Sequence, residues 1–245
     1  MASLSGLFSG FRPRPGRSGS SAWLRGLILG SLLAATTATA ELPAYLHEAL
    51  GKFSPEVPRE WAYTVMTERD GQRTTERFDA SKPPEEQWQL LLIEGRKPTA
   101  DELAKYFKYK AGQVPGATQA TFQKNDIEPG SIELLREDAL RAEFACAFRE
   151  QSANSDKMLA HLRLRVTVAK QQPHVEKFAL ELREPYSPVL GVKMRELLVE
   201  MNFAPPGADR PSLPVRSSSH FLGRIFFVPV EENLRYTYSD FIRVP

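Results

Sequence analysis

In residues 162–170, LRLRVTVAK, apolar side chains alternate with mostly charged or polar ones. A period of two puts Leu162, Leu164, Val166 and Val168 on one side of an extended chain and Arg163, Arg165 and Thr167 on the other. That is a half-buried strand with one wet face. Four further extended runs follow, 174–182, 192–203, 215–230 and 234–244, separated by QQP, REPYSP, APPGADRPS and EEN. Turn-forming residues fill every gap, so the second half of the chain reads as consecutive antiparallel strands. The 215–230 run reads as one long strand bent at Gly223, and Glu231-Glu232-Asn233 as a turn.

The first half mixes elements. Leu42, Tyr45, Leu46, Ala49, Leu50 and Phe53 recur at helical spacing, an amphipathic helix over 42–53 that Pro55 and Pro58 end. The runs 61–68 and 74–80 flank Asp70-Gly71, the signature of a β-hairpin, and 88–95 is a third strand. Thr99 with Glu102 three residues on forms a capping box, which opens a helix over 99–111. GATQATFQK (116–124), SIELLRED (131–138) and LRAEFACAF (140–148) are short extended pieces. The expected fold is therefore mainly β: a curved antiparallel sheet or half-open barrel of about 9–11 strands with two or three helices, in one domain over 41–245. The segment 204–214 is the best candidate for a mobile loop, with 111–119 second.

Residues 1–40 differ from the rest. They carry four arginines and no acid, then the apolar run GLILGSLLAA and Ala38-Thr39-Ala40. A basic region, a short apolar core and a small-x-small site read as a secretory signal peptide cleaved after Ala40. The apolar core is about ten residues where a span needs roughly 20, so an integral membrane protein is not expected. Removing those four arginines from the 32 basic residues leaves 28 against 30 acids, a net −2 in place of +2. A near-neutral domain offers no electrostatic case for nucleic-acid binding. Residues 41–245 hold no N-x-S/T sequon, and Cys146 is the single cysteine, so no intrachain disulfide forms. With the arginine-bearing leader, this favours a bacterial periplasm.

No recognisable chemistry stands out. Cys146 shares an apolar face with Phe144 and Phe148, so a buried, inert thiol is expected. His47-Glu48 lacks the second histidine of a zinc protease motif, since Gly51 stands there. His161 and His174 are placed face to face across the hairpin 161–183, as solvated or packed residues more readily than as metal ligands. Tyr106, Phe107 and Tyr109 interleave with lysines, an ordinary amphipathic helix or a membrane-surface one. No nucleophile elbow, S-x-x-K or phosphate loop occurs in 41–245. The expectation is no catalytic residue, no metal and no cofactor.

What remains is apolar sheet face. The strands offer more of it than two short helices cover, which leaves two readings open: a barrel filled by its own side chains, or a groove for an apolar ligand. The wall residues of such a groove are Trp61, Tyr63, Phe144, Phe148, Leu164, Val166, Leu180, Met201 and Phe227, with the helices 42–53 and 99–111 as lid.

The order of leader, amphipathic helix, hairpin and curved strands, ending in SHFLGRIFFV, Glu231-Glu232-Asn233 and Tyr238-Ser239-Asp240-Phe241, resembles the periplasmic lipoprotein-carrier (LolA/LolB-like) fold. Similar endings occur in exported proteins of Gram-negative bacteria. The resemblance covers about the last eighty residues, and no counterpart of a carrier's acyl-binding arginine is placed. It implies a half-open barrel whose mouth helices plug, and reversible binding of acyl chains or another hydrophobic group in the periplasm. The expected partner is a hydrophobic ligand or an acylated protein, with transient membrane contact. The competing expectations are a non-catalytic envelope protein that binds a protein partner through a sheet edge or the 204–214 loop, and an enzyme whose site assembles only in the fold.

Overall fold

The computed structural model describes residues 42–111, 124–155 and 157–245; the extended piece expected over 116–124 lies almost wholly outside them. Every described element belongs to the compact unit Glu41–Pro245. In chain order these are α1 (Ala44–Lys52), β1 (Trp61–Arg69), β2 (Gln72–Phe78), β3 (Trp88–Ile93), α2 (Ala100–Ala111), β4 (Glu133–Glu137) and β5 (Arg141–Cys146). Then come α3 (Glu150–Ser155), β6 (Leu162–Ala169), β7 (His174–Leu182), β8 (Val192–Phe203), β9 (Pro214–Ile225) and β10 (Val228–Arg243).

The ten strands form one antiparallel sheet in the order β3-β2-β1-β10-β9-β8-β7-β6-β5-β4, which does not close. The last strand pairs with the first, Val65 opposite Tyr238, so β3 and β4 become the two outer strands among the described residues. The mainly β class with few helices is as the alternation requires.

Local chemistry sets each boundary. Asp70 and Gly71 have φ of 47° and 83° and turn β1 into β2, the conformation an Asp-Gly hairpin demands. Glu102 accepts from the Thr99 backbone N–H at 2.8 Å, and the Glu102 N–H donates to Thr99 Oγ1 at 3.3 Å, so the capping box closes both ways.

Two boundaries depart from expectation. The run 215–230 is not one strand bent at Gly223. It is a hairpin, Ile225 opposite Val228, turning at Phe226-Phe227. Glu231-Glu232-Asn233 is no turn but lies within β10, opposite Leu222, Phe221 and His220. The segment 204–213 is held to itself: Ala204 N–H donates to Leu213 O at 2.9 Å, Ser212 Oγ to Ala204 O at 2.8 Å, and Leu213 is buried.

Register sorts the side chains into two faces. Phe144, Val166, Phe178, Met201, Ser217, Tyr236, Thr67 and Thr74 follow one another across the strands on one face, which also carries both longer helices. The other face is laced with ion pairs. Arg165 lies between Ala145 and Ala179 in the ladder and pairs with Glu143 and Glu181; Lys177 pairs with Glu200. This is the wet side of LRLRVTVAK.

Candidate functional site

The dry side of LRLRVTVAK faces α1. Leu46 and Ala49, each 1% exposed, pack with Phe144, Cys146, Phe148, Leu164, Val166, Leu180 and Met201 in one cluster. Six of the nine predicted wall residues are thus brought together, and α1 is what covers them. Two further contacts fix the helix. At its start, Tyr45 donates to Glu137 at 2.9 Å, and Lys170 donates to the same carboxylate at 2.7 Å. Just beyond its end, Phe53 meets Phe178 and Phe203 edge-on at 6.0 and 5.3 Å. Lys170 and the Tyr45 hydroxyl hold Glu137 below the usual carboxylate range. Burial pushes the Cys146 thiol up to about 12, so no nucleophile stands here.

Trp61 and Tyr63 belong to the other half of the sheet. Tyr63 sits among Phe78, Trp88, Tyr238 and Phe241, with ring centroids 5.2 to 6.2 Å away, and burial pushes its phenol up to about 12. Helix α2 lies over this half. Lys110 Nζ is 2.9 Å from Glu76 Oε1 and 4.0 Å from the Trp88 ring centroid. Burial and the Glu76 charge push the Tyr106 phenol up. Lys110 therefore acts as a positioned cation and Tyr106 as a half-buried ring, so YFKYK is divided: Phe107 and Tyr109 are exposed.

Between the two helices the same face continues through Leu197, Val199, Ser219, Phe221, Leu234 and Tyr236, all half-buried. Register puts Leu197 opposite Phe221 and Val199 opposite Ser219. This strip joins the two apolar halves. Leu197 and Val199 belong to the apolar sheet face expected from the alternation; the Phe78/Trp88/Tyr238/Phe241 cluster was not anticipated, although Tyr236 and Tyr238 two apart carried the signal.

Phe227 does not line this face. It is 92% exposed at the β9–β10 turn, because the chain reverses there. His161 and His174 do not face each other either. They sit at opposite ends of the β6–β7 hairpin, His161 stacked on Tyr186 and His174 opposite Ala169.

A polar groove lies mainly on the outer face, lined by Glu68, Asp70, Ser218, His220, Asn233 and Arg235 among others. His220 Nδ1 is 2.9 Å from Asn233 Oδ1, and its Nε2 is 3.8 Å from Glu196. No hydrogen bond joins Ser218 to His220, and among the described residues no group of three or more His, Cys, Asp or Glu is placed to hold a metal. Nor is any helix among them long and apolar enough to cross a membrane. The fold and site define an open, mainly β protein with an apolar, helix-covered sheet face. No family model, curated protein or solved structure matches the chain.

Proposed function

We propose that the chain is an exported, non-catalytic carrier that holds a lipid-like or acylated ligand against the helix-covered face of its sheet. The observation that carries this reading is the half-buried strip Leu197, Val199, Phe221, Leu234 and Tyr236 between α1 and α2. An acyl chain laid on it gains about 0.8 kcal/mol per buried CH₂. Helix α1 meets the sheet through side chains, so it can lift and repack over a chain in its groove. The arginine-bearing leader and the lack of N-x-S/T sequons in 41–245 favour a periplasmic place of work.

Native mass spectrometry after detergent-free purification, followed by organic extraction, tests this. A co-purifying acyl species, lost in a Val199→Asp variant, is the expected result. A clean ligand-free mass, with no uptake from added phospholipid or fatty acid, overturns it.

A second reading, strand addition by a protein partner, is favoured by one observation. The edge strand β4 is exposed along its whole length, with Leu134 and Leu135 47% and 40% exposed.

A further inference from the structure

The β9–β10 hairpin ends in large apolar side chains that are left mostly exposed. Phe227 is 92% exposed, Phe226 68% and Val228 64%; Leu190, in the turn leading into β8, is 98% exposed. Leu190 is brought beside the hairpin because its neighbour Gly191 touches the Phe226 ring and accepts the Phe226 N–H. A soluble surface scatters single apolar residues. Four large ones on one apex are a different matter.

The apex projects. β1 ends opposite Leu234 and its turn reaches one residue further, the Asp70 N–H donating to Asn233 O, so residues 228–232 of β10 lie beyond the β1 ladder, with the Glu232 side chain still paired to Arg69. β7 ends its pairing opposite Leu198, so residues 192–197 of β8 have no β7 partner; Tyr186 alone bridges to Met194. A three-stranded finger about five residues long, roughly 17 Å, thus extends beyond both neighbours.

Charge is segregated along the finger. Its apex, residues 185–195 and 221–230, carries Lys193, Arg195 and Arg224 and no acid, whereas Glu196, Glu231 and Glu232 stand at its base, Glu196 and Glu231 both opposite Leu222. Lys193 and Arg224 stand directly opposite each other in the ladder, and all three bases are exposed. Like charges facing across a strand pair cost stability. None of the three has an ion pair among the described residues, in contrast to the paired charges elsewhere on this face.

We infer that this finger docks on an anionic phospholipid surface, Leu190, Phe226 and Phe227 entering the headgroup boundary while Lys193, Arg195 and Arg224 meet lipid phosphates. A narrow, convex apolar tip with a basic collar suits a bilayer interface, which needs no complementary pocket. A protein partner would need a concavity shaped to this tip. The inference goes beyond the carrier reading and does not depend on it.

Vesicle flotation of residues 41–245 tests it, using phosphatidylethanolamine vesicles with and without phosphatidylglycerol. Binding to phosphatidylglycerol vesicles that falls with salt is expected. L190S/F227S should lower the partition at least tenfold, and K193Q/R224Q should weaken only the anionic component. Leu190 and Phe227 are solvent-exposed, so the first variant keeps its fold, which circular dichroism checks. Absence of wild-type binding, or binding unchanged in L190S/F227S, overturns the inference. So does concentration-dependent self-association without lipid that L190S/F227S abolishes, which would assign the apex to a second copy. Acyl content measured on the same samples separates failure here from failure of the carrier reading.

Discussion

The Phe226 ring lies over the bare Cα of Gly191, so close that a Cβ built there would stand 2.7 Å from ring carbon Cε1. Gly191 has φ of +82° and Phe226 of +54°, two left-handed residues locked together by the Phe226 N–H bond to Gly191 O. Gly191→Ala is therefore expected to cost about 1–3 kcal/mol through strain and ring displacement. Urea denaturation measures the loss. Amide exchange should show it concentrated in 189–194 and 224–229, and an unchanged exchange pattern would contradict this account of the turn.

The ion pair under α2 makes a second prediction. Lys110 and Glu76 have side-chain exposures of 21% and 13%, and the Trp88 ring closes one side of the ammonium. Lys110→Met leaves Glu76 partly buried without its cation, at about 1–3 kcal/mol. In E76Q/K110M the second substitution should cost much less than it does alone, because the stranded charge has gone. Equilibrium unfolding of the four proteins gives the coupling; strict additivity would show that the pair contributes nothing.

The sequence was most legible where one residue type has one physical role. Asp70-Gly71 supplies the left-handed pair a tight hairpin needs, and Thr99 with Glu102 supplies both halves of a cap. Alternation in 162–168 told which side chains are buried, and those at Leu162, Leu164, Val166 and Val168 are. It could not tell what buries them, since the fit of Leu46 and Ala49 into that face is long-range packing. The turn at Phe226-Phe227 was invisible for another reason. Ile-Phe-Phe-Val contains no turn residue, and tertiary contact with Gly191 imposes the reversal. Misreading it placed Phe227 on a wall instead of at a tip. The six-residue helix α3 has too few turns for a periodic signal.

Acid should release α2 from its start. The Arg96 guanidinium, then the Thr99 N–H, hold Glu102 down to about 2. A carboxylate lowered in the folded state contributes stability that is present above its unfolded pKa and lost as pH falls through the folded one. The loss therefore runs from roughly pH 4.5 down to 2. Amide exchange at 100–104 should quicken across that window, and Glu102→Gln should largely remove the dependence. A pH-independent α2 would show that the cap does not hold the helix.

Alkali tests the core beneath α1. Cys146 is pushed up to about 12 by burial, against about 8.5 for a free thiol. A group whose pKa is raised on folding stabilises fully below its unfolded pKa and loses that contribution as pH rises toward the folded value. By pH 10 the unfolded thiol is ionised and the native one is not, a loss of about 2 kcal/mol. Tyr63, also pushed up to about 12, adds to the loss above pH 10. Thermal unfolding should therefore fall steeply from pH 8.5 to 11, and Cys146→Ala should flatten the first part of that slope. The same burial predicts that an aromatic disulfide reagent at pH 8 modifies Cys146 only as fast as the core opens. Leu46→Ala, which loosens α1 from the sheet at a cost of about 2–5 kcal/mol, should raise that rate at least tenfold. Immediate modification of the unaltered protein would mean that α1 does not seal the face it covers.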